Sequence, residues 1–105
     1  MSGTPREQRS APRTPLACAV VLARRRGGPV TGRTQDVGPG GARVLVDRPL
    51  GIDEEIAFDL ELGDAHVDGR ARVVRQQGPR CYALRFERLD AQAAELLRGA
   101  VARAG

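Results

Sequence analysis

Lysine and tryptophan are absent from this chain of 105 residues, and there are only one histidine, two cysteines and one tyrosine. Each shortage closes off some chemistry. Without lysine, all 17 basic positions are arginine, so every side-chain cation is a planar, permanently charged fork. The three aromatic residues, Phe58, Tyr82 and Phe86, fall on the apolar side of alternating segments. That leaves no exposed platform on which nucleic-acid bases would stack, so nucleic acid is not an expected partner. His66, the single histidine, sits beside acidic turn residues with no nucleophile–base–orienter set around it, and no enzyme activity is expected. Cys18 and Cys81 lie far apart in apolar segments and read as two buried thiols rather than a disulfide framework. No CxxC-type spacing occurs, so no metal ligands are assigned. P-loop and dinucleotide fingerprints are missing as well. No apolar run approaches membrane-spanning length, and the first residues lack the apolar core of a signal peptide. The expectation is a cytoplasmic chain with no membrane insertion.

What the chain does have is a segregated charge pattern. Residues 1–35 hold seven arginines against Glu7 alone, a balance of +6. Residues 47–68 hold eight acids against Arg48, a balance of −7. Residues 69–105 return to +5, from eight arginines and three acids. An uneven field of this kind suits an anionic partner at the N-terminal side better than a uniform basic coat.

Residues 1–15 are rich in Pro, Arg, Ser and Thr and have little to bury, which marks a flexible arm. Residues 16–105 hold the folded domain. Leu16–Leu22 is an apolar run that reads as a first buried strand, and residues 30–35 as a second. Glycine and proline at 38–41 require a turn. Period-2 alternation then becomes plain: Ala42, Val44 and Val46; Ile56, Phe58 and Leu60; Ala71 and Val73; Tyr82, Leu84 and Phe86. Turns are expected at Gly63-Asp64 and over Gln76–Pro79. From Asp90, a capping residue, the period becomes helical through Ala93, Leu96, Leu97, Ala100, Val101 and Ala104. The fold class is all-β with one terminal helix, a small six-stranded antiparallel β-barrel plus a C-terminal α-helix.

Two short stretches carry the candidate binding chemistry. Arg9 and Arg13 are the only arginines four residues apart, and they precede the first strand. Each fork suits a phosphate, or O6 and N7 of guanine, or the face of a base. Asp36, opening Asp36-Val37-Gly38-Pro39-Gly40-Gly41, could accept from guanine N1–H and N2–H. Gly41 would admit close backbone approach or a positive φ.

With these residues in place the chain resembles the PilZ domain family, bacterial receptors for cyclic di-GMP. The family pattern is RxxxR before the barrel and (Asp/Asn)-x-Ser-x-x-Gly after the second strand. Arg9 and Arg13 match the first; Asp36 and Gly41 match the ends of the second, with Gly38 in the place of serine. Leu50-Gly51, the Gly69–Arg75 segment, Tyr82-Ala83-Leu84-Arg85-Phe86 and the final helix extend the likeness over about residues 6–103. The resemblance implies a split-barrel fold whose N-terminal arginines clamp cyclic di-GMP on the barrel surface. It further implies ligand contacts from Arg9, Arg13, Asp36, Gly38 and Gly41, no cofactor, and a protein output partner. A second reading is a degenerate family member that docks a protein through the acidic stretch 53–68 or the helix, without nucleotide. Nucleic-acid binding through Arg24–Arg26 ranks behind both.

Overall fold

The computed structural model describes residues 13–104. Its elements in chain order are β1 (Thr14–Pro15), β2 (Ala19–Arg24), β3 (Val30–Gly38), β4 (Gly41–Val46), β5 (Glu55–Leu62), β6 (Ala65–Gly78), β7 (Cys81–Arg88) and α1 (Ala91–Ala104). The strands run antiparallel in the order β3-β2-β5-β6-β7-β4, and β4 pairs back onto β3. That last pairing closes a six-stranded barrel and removes its open edges. β1 is a two-residue addition that pairs with β3, Thr14 opposite Val37 and Pro15 opposite Asp36. Thr14 and Pro15, expected in the arm, are therefore ladder residues; residues 1–12 lie outside the described part.

Closure follows from the alternation. Val44 and Val46, Ile56 and Leu60, Val73 and Leu84 all face a common interior and are almost fully buried. Side chains of alternate parity, such as Arg33, Leu45 and Asp59, face out. The first strand departs from expectation, because the ladder breaks between Pro15 and Ala19. Thr34, itself buried, fills the break: its hydroxyl accepts from the Cys18 amide at 2.8 Å and donates to the Leu16 carbonyl at 2.5 Å. One side chain thus satisfies two backbone groups that the missing rungs would leave bare.

The turn expected over Gln76–Pro79 is also corrected. β6 runs on to Gly78 because register shifts between Val73 and Arg75, and between Gln76 and Gly78, absorb extra residues as bulges. Proline 79, with no amide hydrogen, then ends the ladder. Only one of the two thiols is fully buried. Cys18 is in the core, where burial pushes its pKa up; Cys81 is half-buried on the outer face, its thiol donating to Gln35 Oε1 at 3.2 Å.

The helix begins as its sequence suggests, with Asp90 Oδ1 accepting from the Ala93 amide at 2.7 Å. Ala93, Leu97 and Ala100 are buried, and α1 packs against β6, β3 and β1. Among the described residues, no helix is long and apolar enough to cross a membrane.

At the far end of β2, Arg24 donates from Nε and Nη2 to the Glu54 carboxylate at 2.7 and 3.1 Å, and the Gly51 amide donates to Glu54 at 2.9 Å. The Arg24 guanidinium holds the Glu54 carboxyl below its ordinary value of 4.5. Because the folded value is depressed, this stabilisation is complete above pH 4.5 and is lost as pH falls through the lowered value. Wild type should exceed Glu54→Gln in urea midpoint at pH 7, and the gap should shrink below pH 4.5. A gap that stays constant down to pH 3 would contradict the ion pair's role.

Candidate ligand site

The turn between β3 and β4 has two central residues, Pro39 and Gly40. It places Gly38 opposite Gly41, Val37 opposite Ala42 and Asp36 opposite Arg43. One residue earlier the register shifts, between Thr34 and Asp36. Thr34 faces the interior, so uninterrupted alternation would send Asp36 inward too. The bulge reverses the parity: Val37 enters the core, and Asp36 turns to the outer side beside Arg43.

There both oxygens of the Asp36 carboxylate are engaged. Arg43 donates from Nε and Nη2 to Oδ2 at 2.9 and 2.6 Å, while Arg13 Nη1 donates to Oδ1 at 3.3 Å. Only 11% of the Asp36 side chain is exposed, against 41% for Arg13 and 42% for Arg43. Arg13 precedes β1, whose Pro15 pairs with Asp36, so the ladder and the ion pair pin this arginine from two directions.

A surface cavity of about 440 Å³ opens beside this group, lined by Arg13, Gly38, Gly40, Gly41, Val74, Leu84, Arg85 and Phe86. Three of the five residues singled out in the sequence therefore share one wall. Asp36 stands behind Arg13, and Arg9 lies outside the described residues. Gly38 is buried at the end of β3.

Gly41 is required for a reason that its sequence did not disclose. Its φ is not in the left-handed region; the glycines there among the described residues are Gly27 and Gly63. A Cβ on Gly41 would instead collide with the carbonyl oxygen of Leu84 on β7. The missing side chain admits the neighbouring strand.

Sequence reasoning passed over Arg43 and Arg85. A signal for Arg43 existed: a two-residue turn at Pro39-Gly40 puts it directly across from Asp36. Arg85 had no comparable signal, since only the pairing of β4 with β7 sets it opposite Gly41. Arg24, counted above with a basic cluster, is committed to Glu54.

The family model for the PilZ domain matches residues 7–103, nearly the whole chain. This chain belongs to the PilZ domain family. PilZ domains are in general receptors or adaptors for cyclic di-GMP, and they are binding modules rather than enzymes. Solved structures agree on the fold. The Bacillus subtilis inhibitor of motility, MotI/DgrA, superposes with a TM-score of 0.79 at 17% identity, over 91% of this chain and 50% of that one. The PilZ domain of CeSA from a cellulose-synthesizing bacterium gives 0.69 at 23% identity, over 89% and 97%. This PilZ chain thus spans half the length of the motility inhibitor and almost all of the isolated CeSA domain. No curated protein sequence matches it.

Proposed function

We propose that this PilZ domain is a cytoplasmic receptor for cyclic di-GMP that passes the ligand's arrival to a protein partner. The observation that carries the reading is that Arg13, Gly38 and Gly41, distant in sequence or in role, line one cavity on the barrel surface. Arg13 supplies a fork for a phosphate or a guanine edge, and Arg9, four residues upstream, supplies the second.

Asp36 has a double part. Its contact with Arg13 is the longest of its three hydrogen bonds, at 3.3 Å, so that one is the easiest to exchange. A guanine N–H arriving at Oδ1 would release Arg13 toward the phosphates, while Arg43 continues to hold Oδ2. Serine's hydroxyl is absent at Gly38, a loss of about 0.5–1.5 kcal/mol for one neutral hydrogen bond. Two arginine forks outweigh that deficit.

Calorimetry of the chain with cyclic di-GMP tests the proposal. Wild type should bind, and Arg13→Ala should bind about ten- to a hundredfold more weakly, the range for a hydrogen bond to a charged group. No heat from wild type at high protein concentration would end the receptor reading.

A second reading, a protein-interaction module indifferent to nucleotide, draws support from Gly38 and from the engagement of both Asp36 oxygens. Under it, partner capture would not change when nucleotide is added.

A further inference from the structure

We infer that Arg85 is a third ligand-contacting arginine of this site, placed to take a phosphate of the bound nucleotide; the inference rests on the receptor reading above. Four arginines occupy the outer face of the strands around the cavity: Arg43 on β4, Arg72 and Arg75 on β6, and Arg85 on β7. Two of them are committed. Arg43 gives Nε and Nη2 to Asp36. Arg72 donates to Glu87 at 2.8 and 3.3 Å and to the Asp53 carbonyl at 3.0 Å, so all three of its nitrogens are used.

Arg85 is held differently. It approaches Glu87 at 3.5 Å, and 60% of its side chain is exposed. Glu87 Oε2 already accepts from Arg72 Nε, so it is a shared and distant partner for Arg85. Giving up an exposed, poorly aligned ion pair loses little. Of these four, Arg85 is the one that lines the cavity, and its donors are only loosely held.

Arg85 lines the cavity while its guanidinium leans on Glu87, so meeting an anion there takes a swing of the side chain. In the β4–β7 ladder Arg85 sits opposite Gly41, so no side chain across the ladder blocks its swing. Val74 lines the same cavity from β6. It is the extra residue of a bulge, falling between the pairs Val73–Leu84 and Arg75–Ala83, and it is 37% exposed. An apolar shelf beside a loosely paired guanidinium suits the two parts of a nucleotide, a base face and its phosphate. Gly38 shares this wall, so Arg85 stands where it can replace the contact that the absent hydroxyl does not make.

The test is titration of the full chain with cyclic di-GMP in wild type, Arg85→Ala and Arg85→Lys, with thermal unfolding of each. The exposed side chain leads us to expect unchanged melting temperatures. Arg85→Ala should weaken binding about ten- to a hundredfold. Arg85→Lys should recover most of that loss, because a point charge serves a phosphate well, though without the fork. Binding by wild type with equal affinity in Arg85→Ala overturns the role of Arg85 and leaves the receptor reading standing. A lysine variant no better than alanine overturns the phosphate contact. No binding by wild type overturns both proposals together.

Discussion

Gly41→Ala is expected to destabilise the barrel by about 3 kcal/mol, the upper end for an overpacked site. Most overpacking is relieved by a side chain that moves aside. Here the obstacle is the Leu84 carbonyl, part of the β4–β7 ladder that helps close the barrel. Relief requires the two strands to separate, which breaks rungs between Gly41–Arg85 and Ala42–Leu84 and strips cover from Val44 and Tyr82 beyond them. A net stability of roughly 5–15 kcal/mol leaves little margin for such a change. Urea unfolding measures it directly. If Gly41→Ala kept the wild-type midpoint and lost only affinity for cyclic di-GMP, the glycine would serve ligand approach and the packing account would be wrong.

Phe58→Ala is expected to cost about 3–5 kcal/mol, the range for truncating a buried aromatic residue. Phe58 is 3% exposed and stacks on Phe86 with ring centroids 4.9 Å apart and planes inclined by 26°. The surroundings are tight: a methyl group on Gly69 would stand 3.2 Å from the Phe58 ring. Phe86 also carries the effect outward, since its amide donates to the Gly40 carbonyl at 2.9 Å and it lines the cavity. Loss of its stacking partner should therefore weaken nucleotide binding as well as stability. Thermal unfolding and calorimetry on one preparation check both. A stable variant with unchanged affinity would show that the core and the cavity wall are uncoupled.

The barrel was legible in the sequence wherever one face of a strand is wet. Ile56, Phe58 and Leu60 declare their face because charged residues separate or flank them, and the helix declares its stripe by a change of period. Leu16–Leu22 offers no such contrast, so the break at residues 16–18 was invisible; it depends on a hydroxyl from Thr34, on another strand. The end of β6 was misplaced for a related reason. Bulges remove the simple alternation, and Gln76-Gln77-Gly78 then looks like a turn although it is ladder.

At the candidate site, residue types and order were legible, but partners were not. Asp36 was read as waiting for guanine, whereas in the folded chain it already holds two guanidinium groups. Gly41 was read for close approach to a ligand or a positive φ; its φ is not left-handed, and the Leu84 carbonyl of the neighbouring strand sets a requirement of its own. Both partners were hidden for one reason: a linear motif names residues, and strand pairing decides what stands next to them.

The shift between Thr34 and Asp36 has a consequence for how such a surface is gained or lost. Core and binding face are read from a single strand in two phases, and one unpaired residue is the frame change between them. Were that residue paired in regular register instead of bulged, every motif letter would be intact, yet Asp36 would fall opposite the inward-facing Ala42 and Val37 would turn to the water. The pairing of residues 34–36, as much as their identity, therefore sets the surface chemistry of this domain.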